Sequence, residues 1–109
     1  MGIHLLQIPE ETVQKLPDAF RDNGIAITAD AIYVKDSRRL TLVEHDKGSE
    51  VHLSIDSAVD GVEAGFAVLR VQPPWRGFRA HRKNNRLRWR VEHILKTCGA
   101  SDLSTTSVG

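Results

Sequence analysis

LRWRVEHILKTCG, residues 87–99, is the stretch on which the fold class of this 109-residue chain depends. Its apolar residues recur at the spacing of one helical face, and they are Leu87, Val91, Ile94, Leu95 and Cys98. Gly99 follows as a helix stop, and Lys96 suits the last turn. The first five residues also alternate strictly between apolar and polar, as a strand does. The helical pattern is longer and has an end signal, so it favours a C-terminal helix.

Trp89 is the residue whose role depends on this choice. On a helix it lies opposite the apolar face, flanked by Arg86, Arg90 and His93, and such an exposed tryptophan among cations indicates a contact surface. On a strand it would join the core. The strand alternative has a partner, because residues 78–80 could pair with residues 89–91 through a loop at 83–86.

The chain before this stretch predicts an antiparallel sheet. Apolar or alternating runs at 25–28, 31–34, 40–43, 51–55 and 66–71 are separated by short polar segments, which favours a meander. Ala29-Asp30 and Lys35–Arg39 are read as connections. Pro73 and Pro74 end the last run, because proline donates no ladder hydrogen bond.

The N-terminal region predicts a first strand at residues 3–8 and a helix that begins at Pro9 and ends at Asn23-Gly24. Pro17 lies inside this helix and predicts a kink or two short helices. The predicted fold is therefore α+β, with an antiparallel sheet of four to five strands. An N-terminal helix and a C-terminal helix pack on one face of that sheet.

Length and composition predict one compact domain over residues 1–100 and a disordered tail over residues 101–109. The single cysteine, Cys98, forms no internal disulfide and indicates a reducing compartment, which we expect to be the cytoplasm. No apolar run approaches the length of a membrane helix, and no secretory signal is recognised, so we expect no membrane partner.

Charge is distributed unevenly along the chain. Residues 1–64 hold 6 Lys/Arg and 12 Asp/Glu, whereas residues 65–109 hold 9 Lys/Arg and 2 Asp/Glu. The stretch 70–90 contains eight basic residues and no acidic one, with aromatic residues interleaved. Arginine pairs with phosphate oxygens and aromatic rings stack on unpaired bases, so this composition is typical of a nucleic-acid surface. The net charge of only +1 is a counterargument, because dedicated nucleic-acid-binding domains are usually more basic.

We therefore expect a non-catalytic binding module whose 70–90 segment contacts an anionic partner, nucleic acid or an acidic protein surface. The candidate binding residues are Arg76, Arg79, Arg82, Lys83, Arg86, Trp89 and Arg90. Two alternatives remain. One is a homodimeric interaction module in which the acidic and basic regions meet, and the other is a small-molecule-binding protein with a pocket between helix and sheet.

No recognised catalytic signature supports an enzyme: the nucleophile elbow, zinc-protease helix, P-loop and dinucleotide glycine fingerprint are all missing from the sequence. His45 and His52 flank one turn, but their spacing matches no known metal-ligand pattern. We expect no cofactor and no metal.

Overall fold

The chain forms an α+β fold built on one antiparallel sheet. The computed structural model describes residues 5–34, 37–44, 48–57, 65–72 and 78–103. The elements are β1 (Leu5–Pro9), α1 (Glu10–Val13), α2 (Leu16–Asp22), β2 (Ile25–Val34), β3 (Ser37–Glu44), β4 (Ser49–Asp56), β5 (Phe66–Gln72), α3 (Phe78–Thr97) and β6 (Ser101–Asp102).

The sheet has six strands in the order β2-β3-β4-β5-β1-β6. Strands β2 to β5 follow one another as neighbours, so the predicted meander is confirmed, and β1 inserts beside β5. The predicted count of four to five strands is wrong. The additional strand is β6, whose residues lie beyond the predicted domain boundary at residue 100.

Strand β6 forms because β1 has a free edge next to the end of α3. Gly99 adopts a φ of 111°, which turns the chain, and the Leu103 N–H donates to the Leu5 carbonyl at 3.0 Å. Ser101 and Asp102 pair with Gln7 and Leu6. Small polar residues show no apolar pattern typical of a strand, so the sequence predicted a disordered tail here. Residues 104–109 lie outside the described residues.

Strand β2 also differs from its prediction. It is one ten-residue strand rather than two runs separated at Ala29-Asp30. The register against β3 shifts between Ile27 and Ala29, so an irregularity absorbs one residue and the strand continues. Strand β3 begins at Ser37, inside the segment read as a polar connection.

Pro17 produces the predicted interruption near the N-terminus. Helix α1 ends at Val13, and α2 begins at Leu16 with Pro17 in its first turn, where the missing N–H is not needed. The break lets α2 turn its apolar side inward. Leu16 and Phe20 are consequently fully buried.

Helix α3 confirms the helical interpretation of residues 87–97. Its inward residues Leu87, Val91 and Leu95 are fully buried, and Ile94 is nearly so. They pack against alternating residues of the sheet, of which Leu40, Leu42, Leu53 and Leu69 are fully buried. No helix among the described residues is long and apolar enough to cross a membrane.

A two-pronged ion pair joins β2 to β3. Arg38 donates from Nε and Nη2 to the two carboxylate oxygens of Asp30, at 2.9 and 2.7 Å. These hydrogen bonds hold the pKa of Asp30 below its ordinary value, and burial opposes them only in part.

Replacing Asp30 with asparagine is expected to lower stability at neutral pH by under about 1 kcal/mol, because solvent screens this half-exposed pair. A lowered folded-state pKa stabilises the protein above the unfolded pKa of about 3.9, and that contribution is lost as the pH falls through the folded value. Urea denaturation of both proteins from pH 7 to pH 3 should therefore show curves that converge in acid. A difference that stayed constant to pH 3 would contradict this assignment.

Candidate binding surface on helix α3

One line of residues follows one face of α3. Positions 79, 82, 86, 89, 93 and 96 follow each other at alternating intervals of three and four, so they share one face of the helix. We call this line the α3 outer stripe, and it consists of Arg79, Arg82, Arg86, Trp89, His93 and Lys96. The apolar residues Leu87, Val91 and Leu95 lie on the opposite side and are buried, and the four stripe positions with described side chains are exposed: Arg86, Trp89, His93 and Lys96.

Trp89 is the one large apolar residue of the stripe, and its side chain is exposed. It is 73% exposed, although burying a tryptophan is among the largest single gains available to a fold. A shallow hollow of about 410 Å³ lies on one side of it, lined by Arg88, Glu92, His93 and Lys96. A second hollow of about 320 Å³ adjoins it toward Asn23 and Ile94. The indole is therefore a raised ring between two depressions, and a flat ligand has access to it.

Cations dominate the helix that carries this ring. Helix α3 contains seven lysines and arginines and one glutamate, and its first turn holds no acid. Positive charge near a helix N-terminus opposes the helix dipole, so the intramolecular electrostatics of this end are unfavourable. An anion bound along the stripe would relieve that repulsion.

Some of the charged side chains near Trp89 form ion pairs within the chain. Arg88 pairs with Glu92 one turn away at 3.7 Å, and Lys96 pairs with Asp102 at 3.3 Å. Arg86 is exposed, and no acidic side chain among the described residues pairs with it. Arg86 lies three residues before Trp89, on the same face of the helix.

Arg90 has a different environment from Arg86 and Trp89. Its Nη1 donates to the carboxylate of Glu44, and its Nη2 donates to the Asn23 carbonyl at 2.7 Å. Glu44 is nearly buried at the end of β3. Arg90 therefore ties α3 to β3 and to the end of α2, and its guanidinium is already engaged.

Replacing Arg90 with alanine is expected to destabilise the fold by about 2 kcal/mol, because it leaves the Glu44 carboxylate buried without its cation. The double variant Arg90→Ala with Glu44→Gln should recover part of that loss, since a neutral amide is cheaper to bury. Thermal and urea denaturation of the three proteins measures both effects. Equal stability of Arg90→Ala and the parent would show that the pair contributes nothing.

The remaining predicted site residues are described less completely. Arg76 lies outside the described residues, and for Arg79, Arg82 and Lys83 only the helical backbone is described. By helix phase, positions 79 and 82 belong to the stripe and position 83 lies beside it. Helix phase thus places positions 79, 82, 86 and 89 on one face of α3.

His93 and Lys96 are stripe residues that the predicted site omitted. Both are exposed and line the larger hollow beside Trp89. The alternating three-and-four spacing continues through them, and the predicted helix already places His93 beside Trp89. Both residues lie beyond the basic segment 70–90, to which the predicted site is confined.

Another feature of the described part of the chain is the placement of its metal-ligating side chains. No group of three or more potential metal ligands occurs there. His52 lies 3.0 Å from the Glu50 carboxylate on β4, while His45 is outside the described residues. The face of α3 toward the sheet is fully packed at Leu87, Val91 and Leu95.

Comparison with known proteins adds no further constraint: no protein-family model, curated protein or solved structure matches this chain significantly.

Proposed function

We propose that this protein is a non-catalytic binding module that holds an anionic partner, single-stranded nucleic acid in particular, along the α3 outer stripe. The observation that carries the proposal is Trp89, 73% exposed in the middle of a cationic helix. A protein that gained nothing from this ring in solvent would be expected to present a polar residue there.

The choice of ligand follows from the two chemistries that the stripe combines. Arginine guanidinium groups pair with phosphate oxygens, and an accessible indole stacks on the face of a base. An unpaired strand offers both groups at once, whereas a duplex keeps its bases stacked on each other. Single strands therefore fit the stripe better than duplexes.

Helix geometry supports the same ligand. The stripe has six positions spread over 18 residues, which at 1.5 Å per residue extends about 26 Å along the helix. That length accommodates a few nucleotides of an extended strand. Binding would involve several phosphates, and each neutralised phosphate releases counterions.

The direct test is fluorescence anisotropy with labelled oligonucleotides of about 20 nucleotides, single-stranded and duplex, at low and near-physiological salt. We expect the parent protein to bind the single strand more tightly than the duplex. Trp89→Ala should weaken binding of the single strand by about 5–160-fold, since one base–aromatic stack contributes about 1–3 kcal/mol.

A matched control for charge is available outside α3. Lys15 is an exposed cation in the turn between α1 and α2. Lys15→Glu and Arg86→Glu change the net charge equally, but only Arg86→Glu alters the stripe. If both variants weakened binding to the same extent, the attraction would be a nonspecific effect of net charge and the proposed surface would be wrong.

A further inference from the structure

Strand β2 forms one edge of the sheet, and its composition is unusual for an edge. The other edge is β6, which has only two residues. Strand β2 has ten residues and contains no lysine and no proline, although proteins commonly protect sheet edges with short strands, lysine or proline. Its single charged residue, Asp30, is paired with Arg38. Two register irregularities against β3 are the protective features that remain.

The exposed side chains along this edge are mostly small or apolar. Thr28, Ala29 and Asp30 are exposed, and Ile32 is 71% exposed. Ile32 and Trp89 are the two large apolar residues found exposed in the described part of the chain. Trp89 belongs to the α3 outer stripe, so Ile32 marks a second and separate surface.

A hollow lies at the opposite end of the same strand. It measures about 320 Å³ and is lined by Arg21, Gly24, Ile25, Ala26 and Ile27. Gly24 has a φ of 78° and contributes no side chain, which keeps this end of β2 open. The strand therefore has an apolar projection near its end and an apolar depression near its start.

Ile32 and one lining residue of the hollow, Ile25, lie on the same side of the sheet. Ile25 pairs with Glu44 and Ile32 pairs with Arg38, and these two partners are six residues apart on β3. Residues an even number apart on a strand share a face, and cross-strand partners do too. Ile25 and Ile32 thus share the face on which Leu42 is buried beneath the helices.

We infer that β2 pairs antiparallel with β2 of a second copy of this chain, forming a two-fold symmetric dimer with one continuous sheet. Antiparallel pairing places Ile32 of each copy opposite Ile25 of the other, so each isoleucine enters the other copy's hollow. The same surface serves both partners, which is the requirement of an isologous interface. The assembly closes at two copies, because the remaining edges are the short β6 strands.

This inference is independent of the proposed function. It uses the edge of β2, whereas the proposed function uses residues of α3. It also differs from a dimer in which acidic and basic regions meet, because the described residues of β2 carry a single, internally paired charge. Raising the salt concentration should therefore leave the association intact.

The test is sedimentation velocity on the full chain from about 5 to about 500 µM, since association by mass action depends on concentration. The chain mass is 12.2 kDa, and the parent protein should approach twice that mass as concentration rises. Ile32→Lys should remain monomeric at concentrations where the parent is mostly dimeric. Trp89→Lys is the matched control, because it replaces an equally exposed apolar residue and should dimerise like the parent.

Cross-linking tests the antiparallel register. In a Cys98→Ser background, Ala29→Cys should form an intermolecular disulfide, because residues near the two-fold axis come within the Cα separation that a disulfide spans. Ile32→Cys should not, because its two copies would lie about seven residues apart along the strands, or about 24 Å. A monomeric parent at every concentration, a dimer that survives Ile32→Lys, or efficient cross-linking through Ile32→Cys would each overturn the inference.

Discussion

Replacing Phe20 with alanine is expected to lower the free energy of unfolding by about 3–5 kcal/mol. Phe20 is fully buried on α2, in the same apolar cluster as Leu95 of α3 and Leu42 of β3. Removing its ring loses the transfer energy of the buried carbon atoms and leaves a cavity that three packed elements cannot fill. That loss is a large share of the stability of a domain this size.

Trp89→Ala is the appropriate control for this truncation. It also removes an aromatic ring, but from a side chain that is 73% exposed, so stability should change by under about 0.5 kcal/mol. Urea denaturation followed by circular dichroism measures both variants. Losses below half a kilocalorie per mole for Phe20→Ala and also for Leu95→Ala would contradict the helix-on-sheet packing.

The triple variant Arg79→Glu, Arg82→Glu, Arg86→Glu is expected to show the largest loss of oligonucleotide binding. Three phosphate contacts along the α3 outer stripe would be replaced by repulsion, so affinity for a single strand near 0.1 M salt should fall on the order of 100-fold. The slope of log affinity against log salt should decrease by about 2, since each contact to a single strand contributes about 0.7.

Arg90 is left unchanged in that variant because its loss would have a second effect. Its guanidinium is engaged by Glu44 and by the Asn23 carbonyl, so reversing its charge would disturb the fold and the surface together. A circular dichroism melt of the triple variant verifies that it remains folded. An unchanged salt slope in a folded triple variant would exclude the stripe as the phosphate contact.

The sequence predicted the parts of the fold that local physics determines. The α+β class, the meander of β2 to β5, the break at Pro17 and the end of α3 shortly before Gly99 all follow from apolar periodicity or from backbone restrictions of single residues. Leu87, Val91, Ile94 and Leu95 face the sheet as their spacing predicts.

The features that the sequence missed depend on distant partners. Ser101 and Asp102 become a strand only because β1 presents a free edge to them, and nothing in their own residue types indicates it. The continuity of β2 through Ala29 and Asp30 depends on the ladder with β3. Long-range pairing of this kind has no signal in a local window of sequence.

The candidate site was also predicted only in part from the sequence. Because residue 89 lies opposite the apolar face of the predicted helix, the spacing of the apolar residues predicted that Trp89 is exposed. The engagement of Arg90 by Glu44 joins residues 46 apart in the chain and could not be read from either segment. The edge surface of β2 was likewise unforeseen, because its position at the edge depends on the order of strands in the sheet.

The most direct measurement of the central claim is the intrinsic fluorescence of Trp89 during titration with a single-stranded oligonucleotide. The chain contains two tryptophans, so a Trp75→Phe background leaves Trp89 as the only reporter. If the α3 outer stripe holds the strand, the emission should be quenched with the same midpoint as the anisotropy change, because the indole stacks on a base. An anisotropy change without any change in Trp89 emission, or no binding at low salt, would contradict the account.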